Sequence, residues 1–537
     1  MLRFFFLLPL GLSWSLHAAV LDLPSVFTDH LVLQREIEAP VWGRAEPGGE
    51  VSVRLAELPA LSARADDAGN WRVIFKGLKA RVEPTTLIVT SAAESITLHD
   101  VVVGEVWLAS GQSNMGTQIK DTTNGEAEAA LHSDPLLRMH VVSRSPSDKP
   151  EFTTKGTSYS FGEPSQWYLA TEGRAAKFSA TGYYFAKELR AHLGDVPVGI
   201  LLCAVGGRPI QSHCSPEALQ RTELGRRQHA AYHVAVKDWD SGKAQAEYPA
   251  KLKAWEVAKQ NIRLKPMKPV DPRTDFWQPA SIYHGMIHPQ IPFAFRGALW
   301  IQGENNTLAT EEPRYYADQL TNMITDWRSR FGHEFTCLIV QLAGFRSPSA
   351  VPQVPNAALM QHGWPFICDQ QRIAHQRIPR SGLVVAHDLG EVENIHPRNK
   401  IDIARRLMRW ARLYDYGDGS APSGPLFKKA EFREHEVVLT FDDAASLTTK
   451  DGKAPAHFDL CGADGKLHWA EARIAEGKVI LTSPQVAHPV QVRYAWNNNP
   501  ATANLTNATG LPTSAFIATR DDPEGKGAVL TDKPFQP

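Results

Sequence analysis

Glu105-Val-Trp-Leu-Ala109 is an apolar run of strand length that passes directly into Ser110-Gly111-Gln112-Ser113-Asn114-Met115. A buried strand ending in glycine, polar residues and a serine is the pattern of a strand that delivers side chains to the edge of a parallel sheet. Reading outward, Ala180 to Leu193 puts Phe185, Ala186, Leu189 and Leu193 on one helical face, and Pro197-Val-Gly-Ile-Leu-Leu202 follows as a strand. Arg296 to Gln302 is the next strand. Tyr316, Leu320, Met323, Ile324, Trp327 and Phe331 then form a helical stripe. Strands at Phe335–Gln341 and Gly382–Ala386 follow, and Ile401, Ala404, Leu407, Met408 and Ala411 mark a last helix face. Alternating strands and helices predict βαβ units and a parallel sheet in a three-layer α/β/α domain over about 101–415.

The flanks read differently. Over 20–100, Val51-Ser-Val-Arg-Leu55 and Trp71-Arg-Val-Ile-Phe75 alternate at period two between the turn sequences Pro47-Gly48-Gly49 and Asp67-Ala68-Gly69-Asn70, which predicts a small β-sandwich. Over 420–537, Glu436-Val-Val-Leu-Thr-Phe441, Lys478-Val-Ile-Leu-Thr482 and Val490-Gln-Val-Arg-Tyr494 predict a second β domain. The polar, helix-leaning stretch 217–275 carries no strand signal and reads as an insertion, a lid or a flank. Arg3, the apolar run Phe4–Leu16 and the small residues Ala18 and Ala19 have the layout of a signal peptide over 1–19, so secretion or periplasmic export is expected.

Composition narrows the function classes. A net charge of −1 over 537 residues leaves no basic excess for nucleic acid or anionic lipid. No later run is long and apolar enough for a membrane span. The five cysteines, Cys203, Cys214, Cys337, Cys368 and Cys461, are odd in number and scattered, so they specify no disulfide framework. Neither CxxC nor HExxH occurs, so neither a metal nor another cofactor is expected.

Four polar groups directly follow predicted strands. The first is Gly111-Gln112-Ser113-Asn114-Met115: a serine there exposes its hydroxyl beside a backbone N–H, as a nucleophile requires, although Met115 stands where a G-x-S-x-G elbow has its last glycine. The plainer alternative is Ser113 as a helix N-cap. The second is Ala204-Val205-Gly206-Gly207-Arg208, whose glycines let backbone approach a ligand. The third is Gln302-Gly303-Glu304-Asn305-Asn306, with amides able to donate to a developing oxyanion. Asn305-Asn306-Thr307, Asn504-Leu505-Thr506 and Asn507-Ala508-Thr509 also match the glycosylation sequon. The fourth is Asp388-Leu-Gly-Glu391-Val-Glu393-Asn394-Ile-His396-Pro397, a histidine preceded by carboxylates, suited to a general base with an orienting acid.

In this order the four groups resemble the blocks of SGNH-type hydrolases, and specifically the sialate O-acetylesterase family. The resemblance spans nearly the whole chain after the N-terminal leader. It includes Phe27-Thr-Asp-His-Leu-Val-Leu-Gln-Arg35 with Pro40-Val-Trp-Gly43, and Tyr283-His-Gly-Met-Ile287 leading to Gly297-Ala-Leu-Trp-Ile-Gln-Gly-Glu304. It continues through Ile395-His-Pro-Arg-Asn-Lys400, Tyr494-Ala-Trp496, Asn499-Pro500 and Gly510-Leu-Pro512 up to Phe516. The resemblance implies metal-free removal of acetyl groups from sugar hydroxyls, with Ser113 as nucleophile and His396 as base. The implied oxyanion hole uses the N–H groups of Ser113 and Gly207 and a side-chain amide, Gln302 first and Asn305 or Asn306 as alternatives. Gln112, Arg208 and Glu304 are the expected substrate contacts.

The departures from the family pattern bear on the substrate. Asn394 stands where the family often has an aspartate, which makes Glu393 the candidate orienter of His396, with Asp388 in reserve and an acid-free Ser–His dyad as the alternative. Arg208 replaces the usual threonine after Gly206-Gly207 and suits an acidic sugar such as sialate or a uronate, unless it pairs with a nearby carboxylate. His284 replaces an asparagine. An esterase for another acetylated polysaccharide such as xylan, or a non-catalytic glycan-binding protein, are the competing readings.

Overall fold

The computed structural model describes residues 21–527, apart from 93, 172, 259–264, 309–311, 346–362, 420 and 445. The leader expected at 1–19 lies outside the described residues. The seven strands of the central sheet are, in chain order, β1 (Ser95–Gly111), β2 (Asp134–Val141), β3 (Gln166–Ala170), β4 (Val198–Ala204), β5 (Gly297–Ile301), β6 (Thr336–Val340) and β7 (Ser381–Val384). Their spatial order is β7-β6-β5-β1-β4-β2-β3, parallel throughout except for the β2–β3 edge pair. Four helices cover it: α1 (Ala180–Leu193), α2 (Tyr316–Phe331), α3 (Trp364–Arg377) and α4 (Lys400–Ala411).

Both faces of the sheet are buried. Along β5, Leu299 and Ile301 join the core under α1 and α4, whereas Ala298 and Trp300 join the core under α2 and α3. That is why the parallel strands read as unbroken apolar runs rather than alternating ones. The fold is mixed α/β with one large mixed sheet.

β1 is longer than its sequence suggested. Its first half pairs antiparallel with Arg81–Thr90 of the N-terminal β region, and its second half lies between β4 and β5. The transition falls at Asp100, which adopts φ 53°. The Asp100 carboxylate is held there by His30 Nδ1 at 2.6 Å and Arg138 Nη2 at 2.9 Å. The change of character expected near residue 101 therefore occurs inside one continuous strand. A buried ionic cluster fixes the same junction. Glu105, fully buried, accepts from Arg35 Nε at 2.5 Å and from Arg296 Nε at 3.1 Å.

The stretch 217–275 is helical where described, with helices at Glu223–Lys237 and Ser241–Val257. Gln228 of the first donates to Glu312 at 3.2 Å and accepts from Gln319 of α2 at 2.8 Å. Beyond α4 the chain forms two four-stranded antiparallel sheets. One contains Leu426–Phe432 and the other Phe516–Thr519, and Phe427 stacks on Phe516 across them at 3.9 Å. This region is tied to the central sheet by Gln341 Nε2 donating to Ser514 Oγ at 2.8 Å. All five cysteines are buried thiols. Among the described residues no helix is long and apolar enough to cross a membrane.

Candidate active site

The site lies at the carboxyl ends of β1, β4 and β5, where parallel sheets open a crevice. β1 ends at Gly111, whose φ of 131° is left to glycine and whose missing Cβ would collide with the Ile301 carbonyl. The two central strands therefore close together at their ends, and Ser113 emerges as the first residue of the short helix Ser113–Gly116. It is not the N-cap; that position is Gln112, which makes no capping bond. Ser113 Oγ instead lies 2.8 Å from His396 Nε2.

The turn after β4 faces the same serine. Gly206 stands where a Cβ would touch the Ser113 Cβ at 3.4 Å, and Gly207 adopts the left-handed φ of 66°. Among the described residues, neither the Ser113 nor the Gly207 N–H donates to a protein acceptor.

Gln302, the preferred side-chain donor from sequence, is fully buried and already engaged. Its Nε2 donates to Asn306 Oδ1 at 2.7 Å and to the Arg208 carbonyl at 3.0 Å, and its Oε1 accepts from Tyr316 Oη at 2.8 Å. Asn306 is likewise held, by Gln211 and Glu312 at its Nδ2 and by the Ile210 N–H at its Oδ1. Asn305 is the amide of this block that reaches the glycine turn, donating from Nδ2 to the Gly207 carbonyl at 2.9 Å. Its burial, with that of Asn504 and Asn507, also removes the three sequons from the surface of the folded chain.

His396 is carried on the loop between β7 and α4. Its backbone N–H donates to Asn394 Oδ1 at 3.0 Å. Glu393, expected to orient the ring, is exposed, and among the described residues no carboxylate hydrogen-bonds to His396. The reserve candidate Asp388 forms a two-pronged pair with Arg406, both contacts at 2.7 Å. Glu391 accepts the Arg398 N–H at 2.7 Å. Burial, and after it the charge of Lys400, hold the imidazole below its ordinary value of 6.5.

Two of the expected substrate contacts, Gln112 and Glu304, are buried and hydrogen-bonded within the protein. Gln112 is buried, and its Oε1 accepts from Gln302 Nε2 at 3.3 Å. Glu304 is buried beneath the serine loop, where its Oε1 accepts from Asn114 Nδ2 at 2.5 Å. Burial raises its carboxyl above the usual carboxylate range. Asn114 also donates to the Ile395 carbonyl at 3.0 Å and accepts from Lys400 Nζ at 2.6 Å. Sequence reasoning passed over Asn114 and Lys400, although both stand inside the quoted motifs.

A cavity of about 490 Å³ opens beside Ser113 and His396, with Arg144, Tyr159, Asp121 and Arg398 in its wall. Among the described residues, none of the stretch 217–275 lines it. Arg144 stacks on Tyr159 at 4.1 Å and forms no ion pair among the described residues. Arg208, the third expected contact, is half-buried over Trp277 at 5.2 Å. It too lacks an ion pair there. Burial lowers its affinity for a proton, Asp275 raises it, and the charge of Arg144 lowers it again, so the two guanidinium groups sense each other. Arg144 carried no signal in the sequence, because it follows no predicted strand. His284 lies away from this cavity; burial drives its ring down to about 4.

A profile of the family described as carbohydrate esterase, sialic acid-specific acetylesterase, matches residues 274–403, which contain β5, Asn305 and His396. Sialate O-acetylesterase of Rattus norvegicus is 26% identical over 536 residues, covering 92% of this chain and 93% of that protein. Sialate O-acetylesterase of Homo sapiens is 25% identical over 533 residues, covering 92% of each. The crystal structure of a carbohydrate acetylesterase from Xanthomonas citri is similar with a TM-score of 0.74 and 31% identity, over 93% of this chain and all of that one. On this whole-length likeness, the chain belongs to the sialic acid-specific acetylesterase family of carbohydrate esterases.

Proposed function

We propose that this protein is a serine esterase that removes O-acetyl groups from sugars, with Ser113 as nucleophile and His396 as general base. The observation that carries the reading is the 2.8 Å contact between Ser113 Oγ and His396 Nε2 at the wall of an open cavity. As Oγ attacks the acetyl carbonyl carbon, its proton passes to Nε2 and the carbonyl electron pair moves onto oxygen. The N–H groups of Ser113 and Gly207 and the second Nδ2 hydrogen of Asn305 receive that oxyanion. Collapse of the tetrahedral adduct breaks the bond to the sugar oxygen, which leaves with the proton from Nε2. Water then adds to the acetyl-serine, with His396 again taking the proton, and acetate is released. His396 works as part of a Ser–His dyad, its loop held by Asn394 and by the Ile395 carbonyl.

The sugar we infer is acidic, sialate being the family's named case. Arg144 supplies positive charge in the cavity wall without an ion-pair partner among the described residues, Arg208 lies near enough to feel that charge, and a substrate carboxylate would complete Arg144. A second reading, deacetylation of another acetylated carbohydrate, is favoured by the higher identity to the Xanthomonas citri enzyme, 31% against 26% for the rat one.

The architecture that accompanies this function is an SGNH-type α/β/α catalytic domain over about 101–415, with the helical insertion 217–275, between β-sandwich domains at 20–100 and 420–537. The leader composition at 1–19 supports export of the enzyme. Acetate release from a small acetyl ester by the wild type and by Ser113→Ala tests the chemistry. Turnover by the wild type alone is the expected result. Equal turnover by a folded Ser113→Ala protein would remove Ser113 from the mechanism.

A further inference from the structure

Beneath the active-site floor lies a chain of buried polar groups that the acyl-transfer steps do not use. Lys400 is the first residue of α4, four residues after His396, and is fully buried. Its Nζ donates to Asn114 Oδ1 at 2.6 Å. Asn114, next to the nucleophile, spends its Nδ2 on Glu304 at 2.5 Å and on the Ile395 carbonyl at 3.0 Å. One amide thus joins the serine loop, the block that carries Asn305 and the peptide immediately before His396. A lysine ammonium in the interior is expensive unless it serves a purpose that apolar packing cannot.

We propose that Lys400 is a positioning residue for the Ser113–His396 pair: from α4, four residues after His396, it locks Asn114 against the Glu304 carboxylate and the Ile395 carbonyl. The inference rests on the dyad reading given above. In a triad, a carboxylate at the far ring nitrogen fixes the imidazole and favours its charged form. Here no carboxylate hydrogen-bonds to the ring among the described residues, and the charge that bears on the ring is the Lys400 cation. Orientation is then supplied through the backbone by the Asn114–Ile395 bond. The like charge of Lys400 preserves the free base toward lower pH.

The charged and titratable groups around this unit agree with that assignment. Glu304 and Glu391 favour the ammonium, whereas burial pulls Lys400 down to about 8. Tyr316 and Cys368 are the other titratable groups that feel Glu304 from α2 and α3. The cavity wall also carries Asp121, Arg144 and Arg398. The sign follows directly. His396 titrates below its ordinary value, and removing a neighbouring positive charge raises it, so activity is lost at a higher pH as the solution is acidified.

The test is the pH profile of kcat/KM on a small uncharged acetyl ester. The wild type is expected to lose activity with a midpoint below pH 6.5, the ordinary imidazole value. Lys400→Met should move that midpoint up by about half a unit or more. Lys400→Met combined with Glu304→Gln leaves no lone buried carboxylate that would unfold the chain, and its limb should move up as well, though by less, because a negative charge is lost with the positive one. A loss of stability alone would lower the rate without moving the limb. A wild-type midpoint at or above pH 6.5, or an unmoved limb in either folded variant, overturns the inference. Ser113→Ala serves as the separate control. If it abolishes turnover while the limb stays fixed, the serine mechanism stands and only the role of Lys400 falls.

Discussion

Asn305 Nδ2 donates to the carbonyl oxygen of Gly207 at 2.9 Å, so the block after β5 and the glycine turn after β4 are bonded to each other beside Ser113. The bond uses one of the two amide hydrogens. It also holds the peptide that presents the Gly207 N–H. In the proposed mechanism, loss of the amide therefore removes one oxyanion donor and loosens a second. Asn305→Ala should lower kcat by about 10²–10³ with little change in the folded state. Gln302→Ala should behave in the opposite way. Its amide is saturated by Asn306, Arg208 and Tyr316, so its removal leaves buried partners unsatisfied and lowers the denaturation midpoint. Steady-state kinetics with a denaturant titration separates the two. A full loss of kcat in a stable Gln302→Ala protein would restore Gln302 as the donor.

Glu393→Gln should change kcat/KM by no more than about twofold, whereas removal of a genuine triad acid costs about 10⁴. Glu393 is exposed and Asp388 is occupied by Arg406, so neither stands ready to orient the ring. A loss approaching that of a triad acid, measured on the same acetyl ester, would show that the loop rearranges on substrate binding to bring Glu393 in.

The regular elements of the central sheet were legible because they are built from apolar periodicity. The helix over Ala180–Leu193 and the stripe from Tyr316 to Phe331 coincide with α1 and α2. Two of the elements that escaped, β2 and α3, mix polar groups into their buried faces. β2 carries the buried Arg138 and His140, which bond to Asp100 and, through Nε2, to the Ser25 carbonyl. α3 buries Asp369, Gln370, Gln371 and Arg372 among Trp364, Ile367, Cys368, Ile373 and Ala374, which interrupts its apolar stripe. The same cause limited the reading of the site. A strand-end motif indicates which residues gather at the sheet edge. It does not tell which amide, Gln302 or Asn305, is consumed by packing, nor that Glu304 points into the interior. Arg144 belongs to no motif and is brought to the cavity by tertiary folding alone.

Arg144→Ala should raise KM for an acetylated acidic sugar by about tenfold to a hundredfold, the worth of a charge-assisted hydrogen bond. For an uncharged acetyl ester the same change should leave KM within about twofold, because the acetyl group and the Ser113–His396 pair are untouched. Arg208→Ala should follow the same pattern. Kinetics on the two substrate types side by side gives the answer. Equal losses on both would mean that the arginines shape the cavity rather than recognise charge, and the reading in favour of a neutral carbohydrate would take the lead.

The last prediction concerns what holds the serine strand in place. Glu105 sits in β1, six residues before the turn at Gly111, and its carboxylate is fully buried between Arg35 of the N-terminal region and Arg296 at the start of β5. Gln34 and Tyr416 donate to the same group at 3.3 and 3.2 Å. Replacing it with alanine leaves two guanidinium groups, each less than one-fifth exposed, with only the solvent-facing carboxylate of Glu36, at 3.6 and 3.4 Å, as a shared counter-charge. Breaking a buried ionic cluster in this way costs about 3–5 kcal/mol. Glu105→Ala should therefore lower the midpoint of urea denaturation markedly. Where folded protein remains, kcat should be close to that of the wild type, because Ser113 lies at the far end of the strand. A stable Glu105→Ala protein with a strongly reduced kcat would mean that the cluster acts on the geometry of the serine turn rather than on the union of the β region with the sheet.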